Sequence, residues 1–236
     1  MHLPDGFIDG TTSAGAAVVA AGGLGAALRR AGQVLDERRV PLAGLVAAFV
    51  FAAQMLNFPV ASGTSGHLLG GALAVVLVGP SVGAVCLAVV LIVQALLFAD
   101  GGLSALGLNV LNMALVGGCG AYVVFAGLRR LLPARPPSVV VAAGVAAGVS
   151  VVLAALAFTI EYALGGTGGA SVAAVAGAMV GVHALIGVGE GLITALVVSA
   201  VLATRPDLVW GARHLASPAP SEAPAPGAAV PAREAS

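Results

Sequence analysis

Long apolar segments divided by clusters of arginine leave this chain few solvents in which to fold. Seven stretches, 13–28, 41–57, 67–79, 81–98, 108–128, 138–162 and 171–203, read as apolar helices, against the ~20 residues that span a hydrocarbon layer. Only 8% of the 236 residues are charged while 59% are hydrophobic. A soluble globule must cover itself with polar side chains, whereas lipid solvates apolar helices directly. The expected fold class is therefore an all-α membrane protein, a bundle of about seven transmembrane helices. The third stretch is short and follows a loop rich in Gly, Ser and Thr, so a broken or partly re-entrant helix is expected there.

The arginines give an orientation, because short cytoplasmic loops carry the excess of basic residues. Arg29, Arg30, Arg38 and Arg39 follow the first stretch, Arg129, Arg130 and Arg135 the fifth, and Arg205, Arg213 and Arg233 the last. Seven spans put all ten on one side, with the N-terminus outside and the C-terminus cytoplasmic. Three regions result: a leader over 1–12, a transmembrane bundle over 13–203 and a cytoplasmic tail over 204–236. From about residue 216 the tail is Ala, Pro, Ser and Glu without apolar period, and disorder is expected. The leader carries Asp5 and Asp9 and no basic residue, unlike a secretory signal, so its retention is expected.

Several function classes fall away. The chain has no lysine and zero net charge, so it offers no basic surface for nucleic acid. Cys86 and Cys119 lie in apolar stretches without CxxC spacing and read as packing residues. No glycine-rich phosphate loop with a following Lys occurs, and no acid/base pair flanks a nucleophile, so neither ATP hydrolysis nor other catalysis is expected of this chain.

The expected topology brings two histidines to the outer side. His2 occupies the second position, where the Met1 amine, the deprotonated amide nitrogen of residue 2 and the His2 imidazole can close two fused chelate rings on one ion. A fourth nitrogen from His67 would complete a planar set, an arrangement that favours Ni(II) or Cu(II) over tetrahedral Zn(II). The competing reading is plain structure, with His2 solvated in a frayed terminus and His67 merely beginning a helix. Glycines around His67, in the run Gly63, Thr64, Ser65, Gly66, His67, Leu68, Leu69, Gly70, let backbone bend sharply and approach a bound group.

A metal-bound imidazole usually donates its other ring nitrogen to an oxygen, for which Thr64, Ser65 and Asn57 are candidates. His183 and Glu190, seven apart on one helix face, are ionisable groups that should point into the bundle. They pair with backbone or each other, or support the metal. Asn109 and Asn112 are candidates for interhelical hydrogen bonds or for supporting partners of the site. Asp100 and Glu161 lie near the outer mouth, where a carboxylate can attract cations.

The leader Met1, His2, Leu3, Pro4, Asp5, Gly6, Phe7, Ile8, the run Gly63 to Gly70 and the later stretch Gly181 to Glu190 resemble the CbiM/NikM family, to about residue 203. Members are the substrate-binding membrane (S) components of energy-coupling factor transporters for cobalt or nickel. The resemblance implies Ni(II) or Co(II) as transported substrate, with no catalytic cofactor, held by the Met1 amine, the His2 backbone and side chain, and His67. It also implies the cytoplasmic membrane of a bacterium or archaeon. Three kinds of partner are implied: a transmembrane coupling (T) component, cytoplasmic ATPase subunits and a small auxiliary membrane subunit. Leu3 and Ile8 replace similar apolar residues, and the tail does not resemble the auxiliary subunit. The alternative is a self-sufficient metal permease driven by an ion gradient, with His183 and Glu190 relaying protons.

Overall fold

A computed structural model describes residues 1–37, 39–60 and 65–215. Arg38, Thr64 and the tail from residue 216, with Arg233, lie outside the described residues. Helices run in the order α1 (Gly10–Val34), α2 (Val40–Gln54), α3 (Gly71–Val78), α4 (Pro80–Leu97), α5 (Leu106–Leu131), α6 (Pro136–Gly165) and α7 (Val172–Thr204). Two short antiparallel strands, β1 (Phe58–Pro59) and β2 (Ser65–Gly66), join α2 to the approach to α3. Among the described residues, five helices (α1, α4, α5, α6 and α7) are long and apolar enough to cross a membrane. The chain is thus a multi-pass membrane protein.

Local chemistry sets the helix ends. Asp9 accepts the Thr12 amide at 2.9 Å and starts α1 at Gly10, three residues before the apolar stretch begins. Ser171 accepts the Ala174 amide at 3.2 Å and does the same for α7. Proline stands at the first turn of α2, α4 and α6, where its missing N–H would have no helical partner in any case. The outward faces carry large apolar side chains such as Val18, Leu164 and Leu185, each more than 70% exposed to what is lipid in the membrane.

The third stretch departs furthest from a regular span. Residues 67–70 are non-helical, α3 has only 8 residues, and Gly71 to Leu77 are all buried. Non-helical backbone at membrane depth survives only where protein encloses it, and α3 is enclosed on all sides. Gly71 lies close to the backbone of Gly117 and Gly118 in α5. The helix α5 is irregular too: Val110–Gly117 is π-helical, set between the α turns of Leu106–Asn109 and the α-helix Gly118–Leu131. Such a bulge shifts the register of side chains along one face.

The pair α6 and α7 meets through glycine. A Cβ on Gly187 would stand 2.8 Å from the Gly148 carbonyl oxygen, and one on Gly191 would stand 2.9 Å from that of Gly144. Each helix therefore presents two glycines four apart, and the backbones touch where lipid supplies no hydrophobic push. Ala16 and Ala20 of α1 are likewise buried. Of the two cysteines, Cys86 packs inside as expected, but Cys119 is exposed on α5 and is not a packing residue.

Beyond α7 the chain does not leave the protein at once. Pro206–Leu208 and Trp210–Leu215 form 3-10 turns, with Val209 and Ala212 buried. Trp210 packs on Gly79 and edge-on against Tyr122, and Arg213 stacks 3.9 Å above its ring. Arg30, Arg39 and Arg213 line one cavity at this end, so arginines distant in sequence do share one end of the bundle.

Candidate metal centre

The leader is not a loose terminus. Met1, His2 and Leu3 are 1%, 4% and 0% exposed. Bonds to its main chain pin the leader: Asn109 Oδ1 accepts the Leu3 amide at 2.7 Å, Asn109 Nδ2 donates to the Leu3 carbonyl at 3.3 Å, and Gly102 donates to that same carbonyl at 2.8 Å. Further along, Asp5 accepts from both the amide and hydroxyl of Ser104, at 2.7 and 2.6 Å. Asp9 donates its amide to the Gly165 carbonyl at 2.7 Å. The loop after α4 accommodates the leader because it is Gly101-Gly102. A Cβ on Gly102 would collide with the Asp5 backbone, and Gly101 adopts φ 92° directly beside His2.

This seat brings the two histidines together. His67 Nε2 stands 3.1 Å from His2 Nδ1, and the ring centroids are 4.6 Å apart. His67 Nδ1 lies 2.7 Å from the Leu68 carbonyl. A carbonyl only accepts, so that nitrogen carries the proton and Nε2 presents its lone pair to His2. Burial holds the His67 imidazole well below its ordinary pKa, and the Met1 amino group and His2 add to this. His67 is thus a neutral ligand-grade imidazole.

His2 in turn faces acceptors with both nitrogens. Its Nε2 meets Gln94 Oε1 at 3.1 Å, and its Nδ1 lies 3.2 Å from Asp100 Oδ1 as well as facing His67. The point bounded by His2 Nδ1, His67 Nε2 and Asp100 Oδ1 therefore calls for positive charge, either a proton on His2 or a cation in its place. Two nitrogens at right angles on one ion, each at about 2.0–2.1 Å, would be about 2.9 Å apart. The observed 3.1 Å needs little adjustment. Among the described residues no three His, Cys, Asp or Glu side chains form a metal-holding group, which leaves places in a site here for main-chain donors. The Met1 amino group qualifies: burial pushes its pKa down to about 4, against a smaller opposing pull from Asp100, and leaves its lone pair free of a proton at neutral pH. Asp100 itself is raised by burial but lowered more by His2 and Asn57, and the net places it below the ordinary carboxylate range.

Other candidates take supporting places. Asn57 does not hold His67: its amide donates to Asp100 Oδ2 at 3.3 Å, and the Leu68 carbonyl is the acceptor for His67. Thr64 and the Ser65 side chain lie outside the described residues. Glu190 accepts the Leu69 and Gly70 amides at 2.5 and 2.8 Å, one on each oxygen, and so clamps the turn just after His67. Gln54 donates to the Leu69 carbonyl at 2.7 Å from the other side. His183 bonds the Met179 carbonyl at 2.7 Å through Nδ1, while its buried Nε2 has no hydrogen-bond partner among the described residues. Asn112 donates to Glu161 at 2.6 Å, which places Glu161 inside the bundle, 7% exposed, rather than at a mouth that draws in cations. His183 and Glu190 do not bond one another.

Sequence reading overlooked Gln54 and Gln94. Both are 0% exposed, and the signal was available: an uncharged polar residue inside an apolar helix must find a partner.

Residues 2–208 match the profile of the CbiM family, described as the cobalt uptake substrate-specific transmembrane region. A putative fused nickel transport protein NikMN of Archaeoglobus fulgidus is 41% identical over 209 residues, covering 89% of this chain and 68% of that one. A putative metal transport protein of Haloquadratum walsbyi is 39% identical over 214 residues, covering 89% and 94%. Among solved structures, one described as a truncated transition metal transporter superposes with a TM-score of 0.81 at 30% identity, over 86% of this chain and 99% of that one.

Proposed function

The chain belongs to the CbiM family of cobalt-uptake transmembrane proteins, and from that premise we propose that it captures Ni(II) or Co(II) outside the cell as the substrate-binding component of an uptake transporter. Transport is its activity; catalysis is not. The metal is held by four nitrogens: the Met1 amine, the His2 amide, His2 Nδ1 and His67 Nε2. One observation carries this reading, the 3.1 Å approach of His67 Nε2 to His2 Nδ1 under a leader that is buried from Met1 to Leu3.

Each donor has a physical reason to serve. The amine is held unprotonated by burial, and His67 is fixed in the right tautomer by the Leu68 carbonyl. Asp100 stands beside His2, close enough to offset the charge of the incoming ion. Gln94 orients the His2 ring through its far nitrogen, as partners of metal-bound imidazoles commonly do. The leader's main-chain bonds to Asn109 and Gly102 must open or shift for the ion to enter, so the leader acts as the closing element over the metal.

Energy comes from other chains in this proposal. A transmembrane coupling component and cytoplasmic ATPases reorient the bundle and release the metal inward, with a small auxiliary membrane subunit assisting capture. The side bearing the arginines is the cytoplasmic side. The ion-gradient permease gains no support from Glu190, whose two oxygens are both committed to backbone amides.

The test is one residue added before Met1. That change moves the amine away from His2 and leaves every helix intact. Loss of Ni(II) and Co(II) binding by the purified chain is expected; binding equal to that of the parent removes the chelate.

A further inference from the structure

At the opposite end of the bundle from the metal site, two cavities share lining residues. The first, of about 350 Å³, carries Arg30 from α1, Arg39 from the turn before α2 and Arg213 from the final 3-10 turn, with Trp210 and Tyr122 on its wall. The second, of about 560 Å³, is an apolar groove between α1, α4 and α5, lined by Ala26, Ala27, Leu115, Val116 and Cys119 among others. Pro80 and Ser81, at the first turn of α4, line both.

The chemistry of the pair is that of a head and a tail. Three arginines line a space bordered by a helix N-terminus whose N-cap, Gly79, offers no side-chain acceptor. The amides of Ser81 and Val82 fall in the first turn of α4, where the helix's own ladder leaves N–H groups over and the helix dipole favours an anion. Little in the cavity competes for this charge. Arg39 pairs with Asp36 at 3.6 Å, but both side chains are more than half exposed, and such a pair is readily exchanged. Arg30 makes only a long 3.4 Å bond to Gln33. Arg213 is stacked on Trp210, which aligns its guanidinium without neutralising it. The groove on the other side of Pro80 and Ser81 offers almost no polar group, and Val34, on the wall of the basic cavity, is 48% exposed.

We propose that this composite is a binding site for one anionic phospholipid of the arginine-side leaflet, its phosphate among Arg30, Arg39 and Arg213 and an acyl chain in the groove between α1, α4 and α5. A free phosphate would fill the first cavity and leave the groove empty; a neutral lipid would fill the groove and leave the arginines unanswered. Only a ligand with both features uses both cavities beside Pro80 and Ser81. The lipid joins α1, the turn before α2, α4, α5 and the final turns, and it does so independently of the metal site.

Trp210 is the chain's single tryptophan, so its fluorescence reports on this cavity alone. The purified full chain in a neutral detergent is titrated with phosphatidylglycerol brominated in its acyl chains and, separately, with brominated phosphatidylcholine. Quenching by phosphatidylglycerol at a concentration at least several-fold lower is expected. The double variant Arg30→Ala, Arg39→Ala should abolish that preference while retaining metal binding, which verifies its fold. Ala26→Phe, at an exposed position that narrows the groove, should weaken phosphatidylglycerol quenching without touching the arginines. Equal quenching by the two headgroups, unaffected by the arginine substitutions, overturns the proposal and leaves this face to a partner protein. Relief of the quenching by millimolar inorganic phosphate also overturns it, since a simple anion site needs no acyl chain.

Discussion

The two ends of this bundle are polar in opposite ways. At the leader end, polar groups are largely buried and bonded to defined partners: His67 to the Leu68 carbonyl, His2 to Gln94, Asn109 to Leu3, Glu190 to two amides. At the other end, arginines stand largely exposed and make few bonds, as Arg30 and Arg39 illustrate. A buried network fixes geometry because every missing partner costs the full desolvation of the group left behind. An exposed charge tolerates rearrangement. In the function proposed above, the first end holds an ion in defined coordination, while the second sets which side the helices face.

That contrast is broken most severely by removing a proposed ligand. His67→Ala should lower Ni(II) affinity more than about 100-fold, because even partners one step outside a metal's ligands contribute 10- to 100-fold; isothermal titration of the purified protein reads this directly. Glu190→Ala comes next. It orphans the Leu69 and Gly70 amides, at a cost of about 1–3 kcal/mol each, and frees the turn that aims His67. A lowered melting temperature together with a 10- to 100-fold loss of metal affinity is expected, and a melting temperature equal to that of the parent would show that the clamp is not needed.

Asn109→Ala should act through the leader. It leaves the Leu3 amide buried without its acceptor, for about 1–3 kcal/mol, and should speed metal release roughly tenfold, measured by chelator competition. A fourth prediction concerns pH. The Met1 amine has a pKa near 8.0 when free and about 4 when buried. The released leader therefore binds more protons between those values, and docking should strengthen as pH rises from about 4 to 8, by at most about tenfold per unit, with little change above 8. Amine-reactive labelling of Met1, corrected for intrinsic reactivity, follows the docked fraction. The smallest effect belongs to Asp5→Ala. Asp5 caps Ser104 from an exposed position, and about a twofold change or less is expected.

The sequence announced the membrane helices because twenty apolar residues in a row admit few other structures. Spacing and glycine singled out His2 and His67, and the fold brings their rings together. The sequence could not announce the interior of α3, since a run of apolar residues looks alike whether it faces lipid or protein. The turn at residues 67–70 is made possible by Glu190 and Gln54 reaching it from two other helices, which no local pattern encodes. Asn109 was seen as a polar residue in a span, but its partner is the leader's own main chain, about a hundred residues away along the chain. Gln94 carries the same lesson: its role becomes visible only once the leader has been folded into place against α4.

X-ray absorption at the nickel edge of the Ni(II)-loaded protein addresses the coordination itself. Four nitrogen donors in a plane are expected, falling to three with the fourth position taken by water or another weak donor in His67→Ala. An oxygen-rich six-coordinate shell, the same in both proteins, would contradict the account.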